Sequence, residues 1–223
     1  MTDSQISSTR RSLATPRAAA VSGILFALLY GASVTLIRLA IPEEATADSD
    51  VWLETNARSI SLALNLVPYA GIAFLWFIGV IRDRLGDVED RFFATIFLGS
   101  GLLFLALTFI GAALAGGLLS SFAAAPETIV SGGVFTYGRE VMFQVINVYA
   151  IRMASVFMLT LGSIWLRSGL MHRGWALLTY GLALVLLVSI SFSLWVTLIF
   201  PIWVLAVSVY FLIRTNAMAH KDG

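Results

Sequence analysis

Long runs of apolar residues alternate with short polar segments along the whole chain. Most of these runs approach or exceed about 20 residues, the length of α-helix that crosses a hydrocarbon core of about 30 Å. The pattern predicts an all-α membrane bundle with six transmembrane helices, at about 18–41, 60–81, 92–118, 141–166, 175–191 and 195–213. They form one domain, 18–214, between a tail at 1–17, which we expect to be disordered, and a second tail at 215–223.

Two of the runs are longer than one crossing requires. No charged residue occurs from Trp175 to Ile213, and a single helix of that length would be about 60 Å long. We therefore predict a hairpin whose turn lies at the serines of segment 189–193. The third run contains glycines and serines after residue 115, which predict a helix end near Leu118. Segment 119–138 is then either a plain loop or a segment that dips back toward the bilayer.

The composition supports a membrane protein and excludes several other classes. Hydrophobic residues make up 59% of the chain and charged residues 12%, against about a quarter charged in soluble domains. The chain has no cysteine, which excludes disulfides, zinc ribbons and cysteine nucleophiles. No nucleotide-binding loop or hydrolase elbow occurs, and no basic patch suits a nucleic acid. We expect no cofactor and no metal.

Basic residues are distributed unequally between the two sides of the predicted bundle. Ten lie on the side of both termini and three on the other side, and such an excess marks the cytoplasmic side. The ten are Arg10, Arg11, Arg17, Arg82, Arg84, Arg91, Arg167, Arg173, Arg214 and Lys221, and the three are Arg38, Arg58 and Arg139. We predict a multi-pass protein of the inner (cytoplasmic) membrane with both termini in the cytoplasm.

A cleaved export signal is the less favoured alternative for the first apolar run. Arg10 and Arg11 are reminiscent of a twin-arginine signal, and segment 45–47 has the small residues of a cleavage site. The run between them exceeds the usual 7–15 residues of a signal core. Arg38 interrupts the approach to the site, and we expect its side chain to reach the membrane interface instead.

Arg152 is the most conspicuous candidate for a functional residue. It falls near the middle of the fourth predicted span, where a charge costs roughly 2.5–3.5 kcal/mol on insertion scales. In a regular helix, Gln144 and Asn147 lie on one polar stripe with Arg152 at its edge. This stripe favours a cavity that holds an anion or polar headgroup. The alternative is a structural arginine that is bonded to neighbouring helices.

The first and second spans carry further candidates. Pro68 frees the backbone carbonyl of residue 64, and the nearby Asn65 adds a polar side chain to a cavity between the second and fourth spans. In the first span, Gly23, Ala27 and Gly31 form a face of small residues that permits close helix approach. That contact is either within the bundle or between two copies or membrane partners.

The turn between the fourth and fifth spans resembles that of a known family. In the segment 161–175, LGSIWLRSGLMHRGW, a leucine-rich helix ending is followed by Arg167-Ser168 and, after a spacer, by Arg173. This arrangement is similar to the cytoplasmic turn of a family of bacterial six-helix membrane proteins of unknown function. The departure is His172, where the family has proline. The resemblance implies a bacterial inner-membrane location and no functional residue.

Three functions follow as hypotheses. The leading one is a non-catalytic protein that binds or passes a polar or anionic small molecule, or a lipid headgroup, between the second and fourth spans. Arg152 would supply the charge, and Asn65, Gln144 and Asn147 would supply hydrogen bonds. The alternative is a structural or accessory subunit of a membrane complex. A membrane-embedded enzyme is the third hypothesis, because the sequence does not place a catalytic acid and a catalytic base at the same depth in the membrane.

Overall fold

The computed structural model describes residues 3–40, 49–85, 91–124, 133–169, 171–188 and 194–219. These residues form six helices and no strand, so the all-α prediction is confirmed. The helices are α1 (Asp3–Ala40), α2 (Ser49–Leu85), α3 (Arg91–Ala124), α4 (Val134–Ser168), α5 (Arg173–Val188) and α6 (Ile199–Ala219). A 3₁₀ segment, Leu194–Leu198, leads directly into α6.

Five helices are long and apolar enough to cross a membrane, and α5 is the exception. α5 has 16 residues and is therefore about 24 Å long. In the bundle α1 packs against α2 and α6, α3 packs between α2 and α4, and α5 lies mainly on α4. Many large apolar side chains on the outer helix faces are exposed, as a surface in contact with lipid requires. The chain is a multi-pass helical membrane protein.

Several helices are longer than the apolar runs that predicted them. α1 begins at Asp3, within the segment expected to be a disordered tail. α3 continues past Leu118 to Ala124, and α4 already begins at Val134, so that only 125–132 of the predicted loop lie outside the described residues. Once a helix is nucleated, each added residue gains one backbone hydrogen bond. Tertiary contacts also support the extension, since the Phe122 and Phe135 rings lie 6.4 Å apart.

A cluster of five phenylalanine rings fills the centre of the bundle. Phe26, Phe74, Phe104, Phe157 and Phe200 come from α1, α2, α3, α4 and α6 respectively, and each is almost completely buried. The closest ring centroids are 4.6 Å apart between α1 and α2 and 4.7 Å apart between α3 and α6. Tilted and edge-to-face arrangements of this kind are the favourable ones for aromatic rings. These rings belong to one continuous cluster of buried apolar residues.

The face of small residues on α1 is divided between two environments. At Gly23, a Cβ atom would lie 2.0 Å from Ser208 Oγ of α6 and 2.8 Å from the Phe77 ring of α2. Gly23 therefore allows three helices to approach closely inside the bundle, and Ala27 is buried in the same region. At Gly31 a Cβ atom would meet nothing within 4 Å. The part of this face around Gly31 is open.

Candidate functional site

The middle of α4 departs from α-helical geometry. Gln144–Ala150 is a π-helical segment between the α-helical parts Val134–Phe143 and Ile151–Ser168. The Ile151 backbone N–H donates to the carbonyl of Ile146, five residues earlier, as in a π-helix. The segment contains neither proline nor glycine, so neither of these residues causes the distortion. Such segments are rare, and they are frequently found at functional sites.

The side chains of the π-helical segment contact neighbouring helices on two sides. Ile146 fits against Gly111 of α3, where a Cβ atom would lie 2.4 Å from Ile146 Cγ1. Asn147, the next residue, turns toward α1 and the 3₁₀ segment. A regular α-helix places successive residues 100° apart, and the wider π-helical turn changes that spacing. The π-helical geometry thus satisfies an apolar and a polar tertiary contact together.

A polar cluster forms where α1, α4 and the 3₁₀ segment meet. Arg38 Nη2 donates hydrogen bonds to Asn147 Oδ1 and, at 2.9 Å, to Thr197 Oγ1. The Thr197 hydroxyl also donates to Asn147 Oδ1 at 3.1 Å. Three segments distant in the sequence are therefore joined by one guanidinium, one amide and one hydroxyl. We call Arg38, Asn147 and Thr197 the Arg38 cluster.

The guanidinium of Arg38 is directed into the bundle. Its Nε and Nη1 atoms are shielded from solvent, and Thr197 is buried. Side chains of an α-helix point back toward its N-terminus, and Arg38 lies two residues before the C-terminal end of α1. The side chain therefore extends from α1 into the protein, where it meets Asn147 and Thr197. Its expected position at the membrane interface stays a prediction.

A second polar contact lies between the Arg38 cluster and the phenylalanine rings. The hydroxyl of Tyr30, eight residues before Arg38 on α1, is buried beside Thr108 of α3 and within electrostatic range of Arg38. Thr108 donates its own proton to the Phe104 carbonyl at 2.8 Å, and its oxygen can still accept a hydrogen bond from the Tyr30 hydroxyl. Buried hydroxyls are normally satisfied by a partner or by water. Thr108 is therefore the polar side chain that is available to Tyr30.

The four residues predicted to line one cavity are not brought together. Asn65 is exposed, and its amide donates to the Ser61 carbonyl of its own helix at 2.9 Å. Gln144 is also exposed. Arg152 is half-buried, and its Nη1 lies 3.5 Å from the Val148 carbonyl of its own helix, a distance at which a hydrogen bond is weak. Of the four residues, Asn147 alone contacts a cation, and that cation is Arg38.

The π-helical segment explains why the predicted stripe on the fourth span is not continuous. The prediction assumed 100° per residue from Gln144 to Arg152, but the wider turn lies between these two residues. A π-helical turn accommodates an extra residue, so the parts before and after it differ from a regular helix by roughly 100°. The sequence feature that points to the Arg38 cluster is the charge of Arg38 inside an apolar run.

The Arg38 cluster is rich in hydrogen-bond donors. Arg38 carries a permanent positive charge, and the Asn147 Nδ2 amide donates to no described residue. A carboxylate or phosphate oxygen is the partner that suits a guanidinium and an amide together. The part of the chain with described side chains holds no convergent group of three His, Asp or Glu residues. The geometry therefore suits the binding of an anion or polar headgroup.

The fold and the Arg38 cluster define a class of protein, a multi-pass helical membrane protein with a polar contact inside the bundle. The comparisons with known proteins do not extend this assignment. No family model, no curated protein and no solved structure matches the chain. The resemblance of the turn at 161–175 stays a prediction.

Proposed function

We propose that this protein is a non-catalytic membrane protein that binds an anionic group, a phosphate or carboxylate, at the Arg38 cluster. The ligand is a lipid headgroup or a small solute with the same chemistry. The observation that carries the proposal is the Arg38 guanidinium, which donates to Asn147 of α4 and to Thr197 of the 3₁₀ segment inside the bundle. A charged side chain within a transmembrane segment is rare, and it is commonly part of a functional site.

Binding rather than passage is the function that this conformation supports. A solute that crossed the bundle would have to displace the five phenylalanine rings, whose centroids are as close as 4.6 Å. The Arg38 cluster lies toward the end of α1, beyond Tyr30, so a ligand can reach it without passing the rings. Its position also differs from the cavity expected around Arg152. Arg152 is therefore the matched control for the experiment.

The decisive variant is Asn147→Asp. It places a carboxylate against Arg38, which neutralises the site while retaining a partner for the guanidinium, so the variant should remain folded. A hydrogen bond to a charged group contributes about 1.5–3 kcal/mol, which corresponds to about a 10- to 150-fold loss of affinity. We expect Asn147→Asp and Arg38→Gln to show this loss and Arg152→Gln to keep the affinity of the parent.

The measurement uses native mass spectrometry of protein released from bilayers that contain phosphatidylglycerol and phosphatidylcholine. A second arm titrates the protein with inorganic phosphate in detergent. Retention of phosphatidylglycerol alone identifies a lipid headgroup, and binding of phosphate identifies a small anion. Equal retention by the parent and by Asn147→Asp would contradict the proposal. A loss of binding in Arg152→Gln alone would instead favour a site at Arg152.

We further propose that the protein resides in a bacterial inner membrane with both termini in the cytoplasm. The support is the ratio of ten basic residues to three between the two sides. Because the chain has no cysteine, single cysteines at Ser4 and Ala45 can be labelled selectively in intact cells with a membrane-impermeant maleimide. We expect Ala45→Cys to react and Ser4→Cys to be protected. The reverse pattern would invert the topology.

An accessory subunit is the second candidate, and an open groove favours it. The groove has a volume of about 420 Å³ between α3 and the start of α4, and its walls are almost entirely apolar. Gly117, Tyr137 and Gly138 are among the residues that line it. Small residues at such a surface allow a helix of another protein to pack closely. Co-purification of a stoichiometric membrane partner that is lost in Gly117→Leu would support this function.

A further inference from the structure

We infer that the π-helical segment of α4, Gln144–Ala150, is a register switch that rotates the first part of α4 relative to the second. In the π-helical state Asn147 faces Arg38. In the alternative state the segment is α-helical, and Asn147 turns away. This inference goes beyond anion binding, and it rests on the contacts of α4 rather than on a ligand.

The two parts of α4 are held differently. The second part, Ile151–Ser168, is packed into the core, and most of its residues are buried. Ser163 and Tyr180 join it to α5 by a hydrogen bond between their hydroxyls. The first part, Val134–Phe143, packs on α3, and Phe135 and Met142 are its buried residues. A change of register within the segment would therefore move the first part and leave the second in place.

The contacts that hold the π-helical state belong to two adjacent residues. Ile146 is fitted against Gly111, and Asn147 accepts hydrogen bonds from Arg38 and Thr197. The backbone itself favours the α-helical state, because the π-helix is intrinsically rare. Side-chain contacts and backbone preference therefore oppose each other at this segment. Opposition of this kind is what a two-state element requires.

The switch has a direct consequence for the Arg38 cluster. When the segment becomes α-helical, the residues before it rotate by roughly 100°, so that the Asn147 amide no longer lies beside the Arg38 guanidinium. If the proposed function is correct, the anion needs both groups. An anion would therefore favour the π-helical state by binding that state more tightly. The segment couples the ligand to the orientation of the α4 N-terminal part.

The rotation is large enough to measure as a distance. A side chain at the outer radius of a helix, about 5–6 Å from the axis, moves by about 8 Å when the helix turns by 100°. Tyr137 and Glu140 are both exposed on the first part of α4, and Leu39 is exposed near the end of α1. Spin labels at Leu39→Cys and either Tyr137→Cys or Glu140→Cys report the rotation in the cysteine-free chain. The two positions lie about 60° apart, so one rotation cannot leave both distances unchanged.

Pulsed electron paramagnetic resonance in nanodiscs without added anion tests the switch. In the parent we expect one main distance for each pair. Asn147→Leu removes the side chain that accepts hydrogen bonds from Arg38 and Thr197 in the π-helical state, and we expect it to raise the population of a second distance at least tenfold. Deletion of Val145 removes the extra residue that the π-helical turn accommodates, so α4 becomes regular with its two parts in the parent orientation, and this variant should keep the parent distance alone. A pair at Leu39→Cys and Leu166→Cys, on the second part of α4, should stay constant.

Each outcome bears on the switch separately from the proposed function. An unchanged single distance in folded Asn147→Leu would overturn the switch, whatever the result for phosphatidylglycerol. If Asn147→Leu fails to fold, the Val145 deletion decides, because a second distance in that variant, which has no extra residue, contradicts the register change. A second distance in Asn147→Leu but not in the Val145 deletion, without any effect of phosphatidylglycerol on the parent, would support the switch and separate it from anion binding.

Discussion

The contact of Gly23 with α6 provides a quantitative test of how the bundle is packed. A Cβ atom at Gly23 would lie 2.0 Å from Ser208 Oγ and 2.8 and 2.9 Å from two atoms of the Phe77 ring. The serine hydroxyl can rotate, but the ring is completely buried and has no free space to enter. Overpacking of this kind typically costs about 1–3 kcal/mol. Gly23→Ala should destabilise the bundle accordingly.

Gly31→Ala is the matched control on the same helix. A Cβ atom there meets nothing within 4 Å, so the substitution adds the greater helix propensity of alanine, about 0.5–1 kcal/mol. That gain applies to both positions. Gly23→Ala should therefore be less stable than Gly31→Ala by about 1–3 kcal/mol, the overpacking cost alone.

The free energy of unfolding can be measured by titration with a denaturing detergent, followed by tryptophan fluorescence. Addition of Ser208→Ala should recover part of the loss at Gly23, because it removes the nearest atom and leaves the ring. Ser208 Oγ has no hydrogen-bond partner among the described residues, so this second substitution breaks no bond. Equal stabilities of Gly23→Ala and Gly31→Ala would refute the close contact of α1 with α6.

Two further predictions concern the core. Thr179→Val removes the acceptor of the 3.0 Å hydrogen bond from the buried Trp203 indole. It should lower the free energy of unfolding by about 0.6–1.7 kcal/mol and change the tryptophan emission spectrum. An unaltered spectrum would count against this hydrogen bond. Phe200→Ala should leave a cavity among four other rings and cost up to about 3–5 kcal/mol, whereas Phe92→Ala, at an exposed ring, should cost much less. Thermal unfolding in nanodiscs compares the two, and similar losses would show that the rings do not support the bundle.

The candidate site was only partly accessible to sequence reasoning. Asn147 was identified from its position on a polar stripe, and it does contact a guanidinium. That guanidinium belongs to Arg38, whereas Arg152 lies near the Val148 carbonyl of its own helix, and a ligand-binding role for Arg152 stays a prediction. Depth along a helix can be estimated from sequence, but the direction of a side chain and its partners on other helices cannot. Nothing in the sequence distinguished Thr197 as a site residue, since threonine is common in membrane helices.

The π-helical segment shows the same limit at the level of the backbone. Neither proline nor glycine occurs in Gln144–Ala150, so no local feature predicts a departure from the α-helix. The distortion depends on Gly111 of α3 and on Arg38 of α1, which contact neighbouring residues of the segment. Side-chain positions around the helix that are calculated at 100° per residue therefore do not hold from one side of the segment to the other.

What the sequence determined by itself is the all-α fold of apolar helices, five of which are long and apolar enough to cross a membrane among the described residues. The reason is local, since an apolar run must satisfy its own backbone hydrogen bonds within the bilayer, and a helix does so without reference to the rest of the chain. The tertiary structure alone decided which polar groups meet, where the helices approach closely and where α4 changes register. Those features depend on contacts between different helices, such as the contact of Arg38 with Asn147, 109 positions away, and no local pattern specifies such contacts.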